Sequence, residues 1–231
     1  CGSASPPVPL TASPQRMHSC PLPRRRLLAL LPATALLAAC GKRAPKGRPI
    51  AQGSNVLALG DSLTAGVGAD AATAYPAVLQ ELTGWQVVNG GVSGDTSAQA
   101  LTRLPTLLEQ HRPALVIVGI GGNDFLRQMS AAGAKDNIRA ICRAATAAGA
   151  QVMLVAVPQF SLLAASTGRL TDHPLYAELA GELRLPLYEG GWAEVLGDAR
   201  LRSDQVHANA KGYRQFAEGL AQRLRQVGLL A

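Results

Sequence analysis

The stretch LALGDSLTAGVGA, residues 57–69, carries the first decision about this chain. An apolar run stops at Gly60, and an acid, a hydroxyl and a series of small residues follow. A buried strand that ends on Gly-Asp-Ser is either a turn or a mount for a nucleophilic serine. Asp and Ser are favoured helix N-caps, so the stretch alone reads as an ordinary turn. The residues around it have to decide.

From residue 55 onward, short apolar runs alternate with segments of helical spacing. The runs are 56–59, 86–88, 114–120, 151–157 and 185–188. Helical spacing is found over 75–82, over 98–110 with Leu101, Leu104, Leu107 and Leu108 on one face, and over 134–148 with Ile138 and Ile141. It returns over 175–183, and over 209–227 with Tyr213, Phe216, Leu220 and Leu224. Continuous apolar strands between helices predict an α/β protein with a parallel sheet covered on both faces. Ligands of such sheets bind beyond the carboxyl ends of the strands, where Gly60-Asp61-Ser62 falls.

The net charge of the 231-residue chain is +7, but it is unevenly spread. Residues 1–50 hold eight Lys and Arg and no acid, leaving 14 bases against 15 acids in the rest. The expected folded part has no overall basic footprint, which speaks against a nucleic-acid partner. From Met17 the tail shows Arg24–Arg26, then an apolar stretch over 27–38, then Leu37-Ala38-Ala39-Cys40. The stretch has signal-peptide length and is too short to span a bilayer. Its end resembles a bacterial lipobox, in which the cysteine is lipidated and becomes the new N-terminus. That resemblance implies membrane anchoring through Cys40 in the bacterial cell envelope, facing the periplasm. The lack of Asp after the cysteine implies the outer membrane. Residues 1–40 are expected to be leader and lipoprotein signal, 41–54 a flexible tether, and 55–231 the folded domain. Once Cys40 is the N-terminus, Cys142 is the domain's single remaining thiol, expected buried and inert.

Four blocks share the strand-end address: Gly60-Asp61-Ser62-Leu63, Asn89 to Thr96, Gly119 to Asp124, and Ser203 to Asn209 before the last helix. A serine hydroxyl needs a base within hydrogen-bond reach. His207 is one of three histidines outside the leader, with His111 and His173, and Asp204 precedes it by three residues. Such spacing lets one short loop supply a base and the carboxylate that orients it. Acyl transfer also needs donors for a developing oxyanion. The Gly94 N–H, the Asn123 side-chain amide and the Ser62 N–H at a helix start suit that task.

In this order the blocks resemble the GDSL, or SGNH, hydrolase family, in the branch of arylesterases, acyl-thioesterases and lysophospholipases. The resemblance implies a flavodoxin-like, three-layer α/β/α sandwich on a five-stranded parallel sheet. It implies a serine esterase with Ser62 as nucleophile, His207 as base and Asp204 as its orienting acid. Its oxyanion donors fall on Ser62, Gly94 and Asn123. Many members have Pro after the histidine, where this chain has Ala208. Without a GxSxG elbow, the larger α/β-hydrolase fold is disfavoured.

Asp61 reads as a structural hydrogen-bonding partner, and Asp95 and Asp124 as loop acceptors. His173 before Pro174 reads as a helix start, and His111 as a helix-end cation. No metal-ligand spacing and no phosphate-binding glycine loop is present, so no metal, nucleotide or other cofactor is expected. Phe125, Leu126 and Met129 are expected to bind substrate, with Leu162 and Leu163 adding an apolar wall, and medium acyl esters or thioesters to be preferred. The competing readings are a carbohydrate or peptidoglycan O-acetylesterase and a non-catalytic acyl-binding lipoprotein.

Overall fold

The computed structural model, described over residues 47–159 and 170–231, turns the five apolar runs into β1 Asn55–Gly60, β2 Gln86–Gly91, β3 Leu115–Gly119, β4 Gln151–Val155 and β5 Leu187–Tyr188. All pair in parallel, in the order β2-β1-β3-β4-β5. The chain runs outward from β1 to β2, then crosses back to β3, so the order reverses between β1 and β3. Open α/β sheets place their ligands at such a switch point. β2 extends past its expected end because Asn89, Gly90 and Gly91 stay in register with Ala58, Leu59 and Gly60. β4 stops before its expected end because its partner β5 ends at Tyr188, whose carbonyl takes the Ala156 N–H at 2.9 Å.

Two apolar layers cover the sheet. On one face Val56, Ala58, Leu115, Ile117 and Met153 meet α2 (Tyr75–Thr83), α7 (Gly191–Gly197) and α8 (Ala210–Gln226). Trp192 stacks on Phe216 at 3.6 Å there, with Tyr75 edge-on to both rings. On the other face Leu57, Leu59, Val116, Val118 and Leu154 meet α3 (Ser97–His111), α5 (Ala131–Ala147) and α6 (Leu175–Leu183). This is the expected three-layer α/β/α sandwich. Cys142 lies in the second layer, where burial pushes its thiol up to about 12 and leaves it inert.

Local signals set the helix ends. Thr96 and Gln99 form a reciprocal capping box at the start of α3. Pro76 sits in the first turn of α2, and Gly84 ends it in a left-handed conformation. The helix start expected at Ser62 is α1 (Ser62–Ala65), while α4 (Gly122–Leu126) and α7 were not expected, being too short to show a period. Gly60 is fixed by close packing, since a Cβ there would strike Thr64 Oγ1 and the Gly119 carbonyl.

The flexible tether expected over 41–54 is corrected for its described part. The Gly47 N–H donates to Val227 O at 2.7 Å and the Ile50 N–H to Leu229 O at 2.8 Å, with the Ile50 side chain buried. The Gln151 amide accepts from the Arg48 N–H and donates to the Arg48 carbonyl. Burying Ile50 and satisfying these backbone groups outweighs the Gly-Pro-Ser composition that suggested a tether. Cys40, the rest of residues 1–46, Leu162 and Leu163 lie outside the described residues.

Candidate active site

Ser62 opens α1 immediately beyond β1. Asp61 caps that helix by accepting the Leu63 N–H at 3.1 Å. The cap fixes the turn, and Ser62 emerges at the β1/β3 switch point. From the far end of the chain, His207 Nε2 comes within 3.0 Å of Ser62 Oγ. His207 Nδ1 lies 2.7 Å from Asp204 Oδ2. The other carboxylate oxygen, Asp204 Oδ1, accepts the Val206 and His207 N–H groups, each at 2.8 Å. One acid thus shapes the loop with one oxygen and holds the imidazole with the other. Burial pulls the Asp204 carboxyl up, but the bonds from the His207 ring and the two N–H groups outweigh it, and the net direction is down. Ala208, standing where many relatives of this pattern have proline, is fully buried and bridges Arg202.

The second and third blocks close the opposite side. Gly94 has φ +84°, a conformation that suits glycine and turns its N–H without a Cβ in the way. Asn123, in the first turn of α4, donates one amide hydrogen to Asp95 O at 2.9 Å. That bond to a carbonyl fixes which amide atom is nitrogen and leaves its second hydrogen free to face the cleft. Ser62 is the first residue of α1, so its N–H has no intrahelical acceptor. Beneath them, Asp124 accepts the Ser97 N–H and hydroxyl at 2.8 and 2.6 Å, which ties α4 to the start of α3.

Ser62, Gly94, Asn123 and His207 line one cleft of about 170 Å³ with Asp61, Leu63, Ser93, Gly122, Leu126 and Val206. Larger hollows of about 370 and 250 Å³ lie beside β5 and one of about 350 Å³ at the strand starts, and none brings a nucleophile and a base together. Asp61 is 3% exposed, and burial raises its carboxyl to about 6 against the lowering influence of the Leu63 N–H and of His207.

Of the three residues expected to bind substrate, the structure brings Leu126 into the cleft. It turns Phe125 away: the ring stacks on His173 at 4.3 Å and meets Tyr176 edge-on. Met129 is 47% exposed and lies outside the cleft lining among the described residues. Phe125 and Leu126 are consecutive in α4, so their side chains leave it about 100° apart, and Met129 lies beyond its end. His173 also accepts the Leu175 N–H at the head of α6, and burial lowers its basicity. Among the described residues, no group of three or more His, Cys, Asp or Glu is arranged to hold a metal ion.

Sequence reasoning missed Arg103, Arg127 and the Asp95 carbonyl. Arg103 reaches both Asp95 and Gly60 from α3, and Arg127 donates to Gly94 O at 2.9 Å. The available signal was an arginine beside the buried Ala100 and Leu104, where a solvent-facing charge is not expected.

A family model, GDSL-like lipase/acylhydrolase, matches residues 58–215. The chain is 37% identical over 185 residues to the thioesterase 1/protease 1/lysophospholipase L1 of Escherichia coli (strain K12), covering 77% of this chain and 86% of that protein. It is 30% identical over 183 residues to an arylesterase of Vibrio mimicus, covering 73% and 87%. Among solved structures, TesA superposes with a TM-score of 0.66 at 30% identity, over 75% of this chain and 99% of that one. The chain belongs to the GDSL-like lipase/acylhydrolase family and is a hydrolase of ester bonds.

Proposed function

We propose that the chain is a serine esterase acting on acyl esters or thioesters through Ser62, His207 and Asp204. The relay Ser62 Oγ–His207 Nε2–Nδ1–Asp204 Oδ2, at 3.0 and 2.7 Å, is the observation that carries this reading. Ser62 Oγ attacks the carbonyl carbon as its proton passes to His207 Nε2. Asp204 holds Nδ1–H and stabilises the imidazolium. Negative charge gathers on the former carbonyl oxygen, which takes hydrogen bonds from the Ser62 and Gly94 N–H groups and the free Asn123 amide hydrogen. The intermediate collapses as His207 protonates the leaving alcohol or thiol, giving an acyl group on Ser62. Water, deprotonated by His207, then releases the acid and restores the serine.

Relatives named thioesterase, lysophospholipase and arylesterase support acyl substrates. So does the rim of the cleft. The exposed large hydrophobics among the described residues are Val92, Leu126 and Met129. Val92 belongs to the loop that carries Gly94; the other two belong to α4 and its C-terminal exit. Exposed apolar side chains on the segments that carry Gly94 and Asn123 favour an acyl chain over a sugar. The chain length expected is medium, with acetyl poorer. The Cys40 lipobox further supports a lipid-anchored protein of the bacterial envelope, facing the periplasm. Loss of membrane association in Cys40→Ser checks that part.

The decisive experiment is p-nitrophenyl ester hydrolysis across acyl lengths by the full chain and its Ser62→Ala variant. The variant is expected to fold and to lose at least about 10⁴-fold in kcat. Wild-type turnover by Ser62→Ala would sink the mechanism. An optimum at acetyl would favour the O-acetylesterase reading, and absence of serine-dependent turnover on any ester the acyl-binding lipoprotein.

A further inference from the structure

We infer that Arg103 is a positioning residue for the candidate oxyanion site, locking the nucleophile's strand end and the Gly94 loop, with Asn123 bonded to it, into one frame. The inference rests on the reading of Gly94 and Asn123 as oxyanion donors. Arg103 projects from the second turn of α3, with its side chain 23% exposed. Its Nε donates to Asp95 Oδ2 at 2.7 Å, and Nη2 donates to the Gly60 carbonyl at 2.9 Å. Gly60 is the last residue of β1, two positions before Ser62. Its carbonyl also accepts the Val92 N–H at 3.2 Å, where the second loop leaves the sheet. Asp95 directly follows Gly94. Its side chain, 9% exposed, is held by Arg103, and its carbonyl holds the Asn123 amide.

One guanidinium therefore reaches all three donors of that reading: Ser62 through Gly60, Gly94 through Asp95, and Asn123 through the Asp95 carbonyl. Arg127 pins the same loop from the other side, at Gly94 O. A planar, two-pronged donor is what this geometry requires. A lysine ammonium can satisfy Asp95 or the Gly60 carbonyl as a point charge but has no rigid fork to span both. Losing Arg103 leaves Asp95 largely buried without a counter-ion, which favours rotation of its side chain toward water. The Gly94–Asp95 turn, closed by the Asp95 N–H on Val92 O at 3.1 Å, would move with it. Oxyanion donors act through placement, and displacement by about 1 Å costs on the order of 10²-fold.

The test is a double-mutant cycle on the full chain with p-nitrophenyl esters, measured at a temperature where circular dichroism shows each variant folded. Arg103→Ala is expected to lower kcat by about 10- to 100-fold with KM within about twofold. In an Asn123→Ala background the same change is expected to cost only about threefold, because one of the groups it positions is already gone. Added guanidinium, against sodium chloride at equal ionic strength, is expected to restore part of the Arg103→Ala loss and nothing to wild type. Arg103→Lys runs through the same cycle, so a misfolded alanine variant leaves the inference open to failure. Equal fold-losses in both backgrounds, a loss confined to KM, or a lysine variant with wild-type kcat overturns it. Full activity in Asn123→Ala would instead overturn the oxyanion reading, and is seen separately in that single variant.

Discussion

Asp204 and His207 owe their geometry to a few neighbouring residues, whereas Ser62, Gly94 and Asn123 owe theirs to contacts that cross the domain. In the first region the Asp204 carboxylate bonds Val206 and His207, and the Ser203 N–H bonds His207 O. The Asp204 side chain is 54% exposed. In the second, Asn123 bonds Asp95, Asp124 bonds Ser97, and Arg103 bonds Gly60, partners separated by 28, 27 and 43 positions. Asp61, Asp95, Ser97 and Asp124 are all buried. One half is a local turn that carries its own chemistry, and the other is a polar frame set into the core. On the proposed reading, a group in the frame serves stability and catalysis together, while a group in the turn serves catalysis.

The sharpest way to break that comparison is to remove one group from each half. Asp204→Asn should lower kcat on the order of 10⁴-fold, because an amide whose oxygen accepts the loop N–H groups turns its NH2 to His207 Nδ1 and holds the imidazole in the wrong tautomer. Its Tm should stay within about 2 °C of wild type, since an exposed amide still accepts the loop's N–H groups. Asn123→Ala should lower kcat on the order of 10²-fold and also lower Tm by about 4 °C, because the Asp95 carbonyl loses its partner. Steady-state kinetics and thermal melts on the same preparations check both. If Asp204→Asn melts earlier than Asn123→Ala, the division into turn and frame fails.

The same division explains what was legible in the sequence. The strands and the longer helices could be read from local pattern, an apolar run or a helical stripe, and the pairing of Asp204 with His207 from a three-residue spacing, whereas Ser62 stood out only with the four blocks taken together. Asp95 and Asp124 were readable only as loop acceptors, because their partners Arg103 and Ser97 lie on α3 and the pairing depends on how that helix packs. Phe125 and Met129 were expected to bind substrate from adjacency to Asn123. Which way a side chain leaves a one-turn helix is set by His173 and Tyr176 from α6 and its approach, which adjacency cannot reveal. The packed segment 47–54 was hidden for a related reason. Ile50 finds its site only when the end of α8 and the residues after it are present.

Asp61 tests the frame by pH. Burial raises its carboxyl from 3.8 to about 6, so between those values the folded protein holds a proton the unfolded chain has released. Folding is favoured by that proton at low pH, and the contribution is lost as pH rises through about 6, leaving a buried charge at pH 8. Asp61→Asn keeps an oxygen to cap Leu63 and never ionises. It should raise Tm at pH 8 by on the order of 5 °C, with the gain shrinking below pH 6 and gone near pH 4. A gain independent of pH would mean that the cap, not the charge, sets the stability of this corner.

The smallest effect belongs to the rim, which is part of neither half. Leu126 lines the cleft yet is 47% exposed, so it gives an acyl chain only part of a leucine's contact surface. Leu126→Ala should lower kcat/KM for octanoyl esters about fivefold and leave acetyl esters within about twofold. The asymmetry is the informative part. An acetyl group ends one methyl beyond its carbonyl, short of a chain-contacting side chain, whereas on the proposed reading a longer acyl group must pass the rim. A uniform loss across chain lengths would mean that Leu126 acts by seating α4, and with it Asn123. Leu126 would then belong with Arg103 and Asp124 in the frame, and the apolar wall for the chain would have to be sought at Val92 and Met129.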